Sequence, residues 1–210
     1  MVWLIHACAR VGVRMRLRAQ VRVKPYCSDA PKESTVFNRR NVMQSITALA
    51  LPFAPGLGLR AWARGPEGPL PKVGSALPLP AVTLLEGRRW TPAEAGGKVL
   101  VVYWWASWCP FCAVQSPHIE ALWRAQRAQG LEVLALSIDK QAVAAVNCMK
   151  AKGYSFPAGM LTPEVARLLP KPAGLPVVVV LRVNGREGKV LFAESGEMFP
   201  EDVEGLKKFL

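Results

Sequence analysis

Downstream of residue 80 the chain alternates short apolar runs with stretches whose apolar positions recur at helical spacing. "GGKVLVVYWWAS" (96–107) and "LEVLALSID" (131–139) are continuous runs of strand length. A strand with no alternation is one covered on both faces. "LPVVVVLRVNGREGKVLFAESG" (175–196) reads as a strand, a turn at Asn184-Gly185 and a return strand. "QSPHIEALWRAQRAQG" (115–130) and "QAVAAVNCMKAKG" (141–153) are amphipathic helices ending at Gly130 and Gly153. "TPEVARLL" (162–169) is a short helix capped by Thr162, and "PEDVEGLKKFL" (200–210) is a closing helix. In the latter, acids sit in the first turn and lysines in the last, matching the helix dipole. Upstream, "AVTLLEGRRW" (81–90) gives a strand, a turn near Gly87 and a short return. Thr91, Pro92 and Glu94 then mark a helix start with a capping-box acid. Residues 64–80 are dense in proline and glycine and form an extended lead-in. The pattern predicts an α/β fold: a central mixed sheet flanked by helices over 81–210, with an N-terminal hairpin extension and no internal repeats.

Residues 1–63 follow different rules. Arg39 and Arg40 precede an apolar stretch, Ile46 to Leu59, and Ala61-Trp62-Ala63 offers the small-x-small pattern of a cleavage site. The run of about 14 residues, broken by Pro52 and Pro55, falls short of the roughly 20 that span a bilayer. Residues 36–63 therefore read as a removed export signal, by the twin-arginine or the general secretory route, with the mature chain beginning at Arg64 in the periplasm. Residues 1–35 are too long and too arginine-rich to belong to that signal and are expected to be absent from the mature protein.

Charge follows the same boundary. The formal net charge is +12, of which residues 1–63 carry +8 and residues 64–210 carry +4. The folded part is thus only mildly basic, and it has no zinc-finger spacing, RNA-binding aromatic pattern or basic recognition helix, so nucleic acid is not an expected partner. With 51% hydrophobic residues, the chain needs no disulfide framework to build a core.

The five cysteines are Cys8, Cys27, Cys109, Cys112 and Cys148, an odd count with one close pair. Zinc needs four ligands; Cys109, Cys112, His118 and Cys148 can be assembled, but not at a known spacing. A structural disulfide closing so small a loop removes little entropy from the unfolded chain. Position favours redox chemistry, because the pair lies where a buried strand hands over to a helix. Cys109 falls at or just before the first turn, with Pro110 where a missing N–H costs nothing. Unpaired amides and the helix dipole favour a thiolate there. Cys112, one turn on, is the expected buried resolving thiol. Cys148, beside Val146 and Met149 on its predicted helix, reads as a small buried hydrophobe. Of Trp104 and Trp105, which alternate faces, one is expected in the core. A different class of function, a metallochaperone holding copper(I) through Cys109 and Cys112, lacks suitably spaced methionine or histidine partners.

"YWWASWCPFC" (103–112) resembles the active-site strand and turn of the thioredoxin superfamily, and Pro117 matches the proline within that family's active-site helix. "GLPVVVVLRVNG" (174–185) is similar to the segment carrying the family's cis-proline, here Pro176. With the lead-in and the Gly-Lys before the strand, residues 70–210 resemble the exported TlpA/ResA-like branch. The resemblance implies a thioredoxin fold and a thiol–disulfide oxidoreductase using Cys109 and Cys112, with no metal or organic cofactor. Its partners would be protein thiols and disulfides, and a membrane electron donor or thiol oxidoreductase. Trp108, Pro110, Leu175 and Pro176 would form the substrate-binding surface. Two departures stand out. Tyr103 and Gln115 occupy places where family members carry a carboxylate that accepts the resolving thiol's proton. Glu86 and Glu94 are the candidates left to replace it. Phe111, between the cysteines, brings no charge, so a reductase is expected rather than a strong oxidase.

Overall fold

The computed structural model describes residues 68–210. The leader, its export signal and the first residues of the lead-in lie outside the described residues. In chain order the elements are β1 (Ala76–Pro78), β2 (Val82–Thr83), β3 (Arg89–Trp90), β4 (Val99–Trp105), α1 (Pro110–Gln126), β5 (Leu131–Ser137), α2 (Ala142–Lys152), β6 (Ala158–Met160), α3 (Pro163–Leu168), β7 (Val177–Asn184), β8 (Glu187–Ser195) and α4 (Pro200–Gly205). Short 3-10 turns occupy Pro92–Ala95, Arg127–Gln129 and Leu206–Phe209.

Six strands form one mixed sheet in the order β1-β8-β7-β4-β5-β6, and β2 and β3 pair as a separate hairpin. β4, β5 and β6 run parallel. Parallel neighbours need a crossover, supplied by α1 and then α2. β7 is antiparallel to β4, and β8 to β7. Asn184 is the last residue of β7 and pairs with Glu187, so the turn is Gly185-Arg186, one residue later than expected.

All seven residues of β4 are buried. Because side chains alternate along a strand, they feed two separate cores. Val99, Val101, Tyr103 and Trp105 pack with Ile119 and Trp123 of α1, Cys148 of α2 and Val203 of α4. Leu100, Val102 and Trp104 pack with Val82, Leu84, Trp90 and Val165 on the opposite face. Both Trp104 and Trp105 are therefore core residues, one in each layer. The expectation of a single core tryptophan is corrected, since a central strand with helices on one side and the hairpin on the other has no open face.

Two strands escaped the sequence reading. β1 lies in the proline-rich lead-in and pairs with the edge of β8. β6, "AGM", is too short to show periodicity, and its pairing with β5 is imposed by α2. The β2–β3 hairpin packs across β6: Leu84 bridges Gly159, and the Leu85 N–H donates to the Ala158 carbonyl at 2.7 Å. A methyl group on Gly159 would sit 2.5 Å from Val82 Cγ1 and 2.9 Å from the Thr83 carbonyl oxygen. Gly159→Ala is therefore expected to lower stability by about 1–3 kcal/mol. Gly205→Ala, at a helical position with open space around it, is expected to leave stability unchanged or slightly raised. Urea-unfolding midpoints of the two variants check this; equal midpoints would mean the hairpin does not press on β6.

Candidate active site

β4 ends at Trp105, and the turn Ala106-Ser107-Trp108 delivers Cys109 to the N-cap of α1. Cys109 is extended (φ −83°, ψ 115°), and its sulfur accepts the Cys112 backbone N–H at 3.2 Å. A sulfur thus stands where a Ser, Thr, Asp or Asn oxygen commonly caps a helix. Pro110 follows at the first helical position, as expected. The turn is held by Cys109 N–H donating to the Ala106 carbonyl at 3.2 Å, and by Ala113 N–H donating to the Cys109 carbonyl at 3.1 Å. Both cysteines are free thiols and both are buried. They are flanked by exposed aromatics: Trp108 is 62% and Phe111 56% accessible.

Cys112 lies fully inside. Burial pushes its thiol well above the ordinary range, and the neighbouring Cys109 raises it further, while the Ala106 backbone and Tyr103 hydroxyl act in the opposite direction. The Tyr103 hydroxyl shares a 2.9 Å hydrogen bond with Ser116 Oγ and donates to the Cys112 carbonyl at 3.5 Å. Gln115 is buried too; its Oε1 accepts the Met198 N–H at 2.8 Å, tying α1 to the segment before α4. Neither glutamate proposed as a proton acceptor comes near. Glu94 bonds Arg88 and the Thr91 N–H ahead of β4, whose seven residues put roughly 20 Å between it and the cysteines. Glu86 pairs with Arg88 on the same exposed hairpin.

Leu175 and Pro176 arrive from the other side. Val177 pairs with Trp104, so the residues just before β7 lie beside the end of β4 from which the cysteine turn emerges. The Leu175–Pro176 bond is cis, and Leu175 packs against the core that contains both cysteines. His118 sits further along α1 in a shallow groove with Pro200 and Glu204. Among the described residues no group of three or more His, Cys, Asp or Glu could hold a metal ion. Cys148 is buried as expected, but it is disulfide-bonded and so is not the free thiol read from the sequence.

The AhpC/TSA family matches residues 73–162. The thiol-disulfide oxidoreductase ResA of Bacillus thuringiensis (strain Al Hakam) is 26% identical over 137 residues, covering 65% of this chain and 78% of its own. Among solved structures, a thioredoxin-family thiol:disulfide interchange protein from Chlorobium tepidum superposes with a TM-score of 0.59 at 22% identity, covering 66% of this chain and 97% of that one. A second protein of that organism, named as a thiol:disulfide interchange protein DsbE, gives 0.55 at 25% identity, covering 65% and 94%. Residues 73–162 are an AhpC/TSA domain of the thioredoxin superfamily, and the chain has the thioredoxin fold. The protein is a thiol–disulfide oxidoreductase of the ResA/DsbE type.

Two features of this oxidoreductase left no signal in the sequence. One is the Tyr103–Ser116 pair. The other is Asp139, buried just past β5. Its carboxyl accepts the Ser107 N–H at 3.0 Å, the Ser107 hydroxyl at 2.7 Å and the Ser137 hydroxyl at 2.7 Å. These bonds clamp the turn that carries Trp108 and Cys109 onto the neighbouring parallel strand. A lone aspartate at a strand end looks like any loop residue until the partner turn is placed beside it. Asp139→Ala leaves buried donors without an acceptor, each worth about 1–3 kcal/mol. The variant is expected to be destabilised by at least about 2 kcal/mol and to lose disulfide-reducing activity, with Asp139→Asn falling between. Urea titration with a turnover assay checks this; wild-type values for Asp139→Ala would show that the turn holds itself.

Proposed function

We propose that the protein is a periplasmic reductase of protein disulfides, working through the Cys109-Pro110-Phe111-Cys112 dithiol. The observation that carries this is the cysteine sulfur capping α1, with a second thiol buried one turn behind it. Amides at a helix start and the positive end of its dipole support negative charge on the capping atom. The Cys109 thiolate attacks one sulfur of a substrate disulfide, forming a mixed disulfide and expelling the first substrate thiolate. Cys112 then attacks the Cys109 sulfur, closes the intramolecular disulfide and releases the second substrate thiol. An external dithiol, from a membrane electron donor or another thiol oxidoreductase, returns the pair to its reduced state.

Substrate recognition falls to Trp108 and Pro110 on one side and Leu175-Pro176 on the other. The exposed rings of Trp108 and Phe111 supply apolar contact area. The reducing direction rests on Phe111, which brings no charge to hold Cys109 ionised. Export rests on the signal in residues 36–63, and no helix of the described residues is long and apolar enough to cross a membrane.

Insulin reduction with dithiothreitol tests the reading. Cys109→Ser is expected to fall to background, and Cys112→Ser to accumulate a mixed disulfide instead of turning over. Stoichiometric copper(I) binding without turnover would favour a metal carrier instead. A reduction potential near −120 mV, that of a strong oxidant, would reverse the direction. N-terminal sequencing of the exported protein should begin at Arg64; a product retaining residues 1–35 would exclude the assigned signal.

A further inference from the structure

The proposed reaction leaves a chemical need unmet. Cys112 must become a thiolate while fully buried, and its environment opposes that. The two buried carboxylates among the described residues, Glu120 and Asp139, are otherwise engaged. Glu120, further along α1, accepts the Ser155 N–H at 2.9 Å and the Phe156 N–H at 3.1 Å, and pairs with Arg124. Asp139 is taken up by Ser107 and Ser137. The strongest influences on the Cys112 thiol are its burial, Cys109, the Ala106 backbone and Tyr103, with no carboxylate or cation among them.

We propose that the Tyr103 hydroxyl, oriented by Ser116, is the hydrogen-bond donor that stabilises the Cys112 thiolate during the second displacement. This rests on the reductase reading above and adds the group that makes its second step feasible. Tyr103 projects from β4 into the layer that holds Cys112, and Ser116 lies one turn beyond Cys112 on α1, so all three share one side of the helix. A phenol has one proton to give and accepts through its oxygen. When Ser116 donates to the Tyr103 oxygen, across their 2.9 Å contact, the phenol is oriented to donate toward Cys112, whose thiol it already acts on. In the thiol state the phenol proton rests on the Cys112 carbonyl at 3.5 Å, longer than a strong bond. In the thiolate state a small rotation transfers it to the sulfur, a charged and better acceptor.

The step balances without an added acceptor. The Cys112 S–H bond and the Cys109–substrate S–S bond break, and the Cys109–Cys112 S–S bond forms. The departing substrate thiolate takes up the proton released by Cys112. Tyr103 keeps its own proton throughout.

The two displacements separate when the reduced protein reacts with dithiobis-nitrobenzoate, which releases one coloured nitrothiolate on attack by Cys109 and a second on closure by Cys112. Tyr103→Phe retains the ring and its edge contact with Phe156 while deleting the hydroxyl. The first release is expected to keep its rate, and the second to slow roughly tenfold at pH 7. The pH profile of the second release should move up by about one unit, so that the two proteins converge in alkali. The double variant Tyr103→Phe/Ser116→Ala removes both partners and leaves no buried hydroxyl stranded; it should show the same slowing as Tyr103→Phe. A second release with wild-type rate and pH profile in both variants would overturn the proposal. A wild-type protein that never gives a second release would remove the reductase reading itself, and this inference with it.

Discussion

A helix start that uses a cysteine sulfur as its cap is the constraint on which the site is built. The sulfur accepts the Cys112 N–H at 3.2 Å, a bond that exists only if Cys109 stays extended while Pro110 is already helical. That abrupt change of backbone state must be held from both ends. Upstream, β4 is buried on both faces and paired with β5 and β7, so it cannot slide. Downstream, Gln115 fastens α1 to the segment before α4. Between them the Asp139 carboxyl fixes Ser107 by both its N–H and its hydroxyl. A reactive sulfur one ångström out of place loses much of the benefit of its helix, so rigidity here serves chemistry as well as stability.

The two thiols sit in different surroundings within one turn of helix. Cys109 caps α1 and is flanked in the chain by the exposed Trp108 and Phe111. Cys112 faces a core lined by β4 and α1 and is held protonated by that burial. A resolving thiol that stays protonated does not compete for the first attack. The same burial makes its later ionisation costly, because a charge in low dielectric needs a partner. Hydroxyl groups are a measured answer to that problem. They can follow a developing charge by rotation, whereas a buried carboxylate beside a thiolate would add repulsion of its own.

Much of this was legible along the chain. The two long apolar runs became β4 and β5 and Gly153 ends α2, while α1 passes into a 3-10 turn at Arg127 before Gly130 and the β7–β8 turn falls at Gly185-Arg186, one residue past the expected Asn184-Gly185. Cys109 as the residue before the first turn, Pro110 within it and Cys112 buried behind were readable because strand-to-helix handover and proline placement are local. Pro176 and Trp108 were also marked, through the resemblance of their segments. The failures were non-local. β6 has three residues and depends on β5 and the hairpin for its shape. Glu86 and Glu94 looked available until they were found on the hairpin with Arg88.

Sequence alone determined the order of the long strands and helices, and which two cysteines share a helix start, since these follow from periodicity, caps and breakers within a few residues. Only the tertiary structure decided what surrounds Cys112. Tyr103 meets Ser116 across 13 positions and Asp139 meets Ser107 across 32, and contacts at such separations follow from strand order and register, which no local pattern encodes.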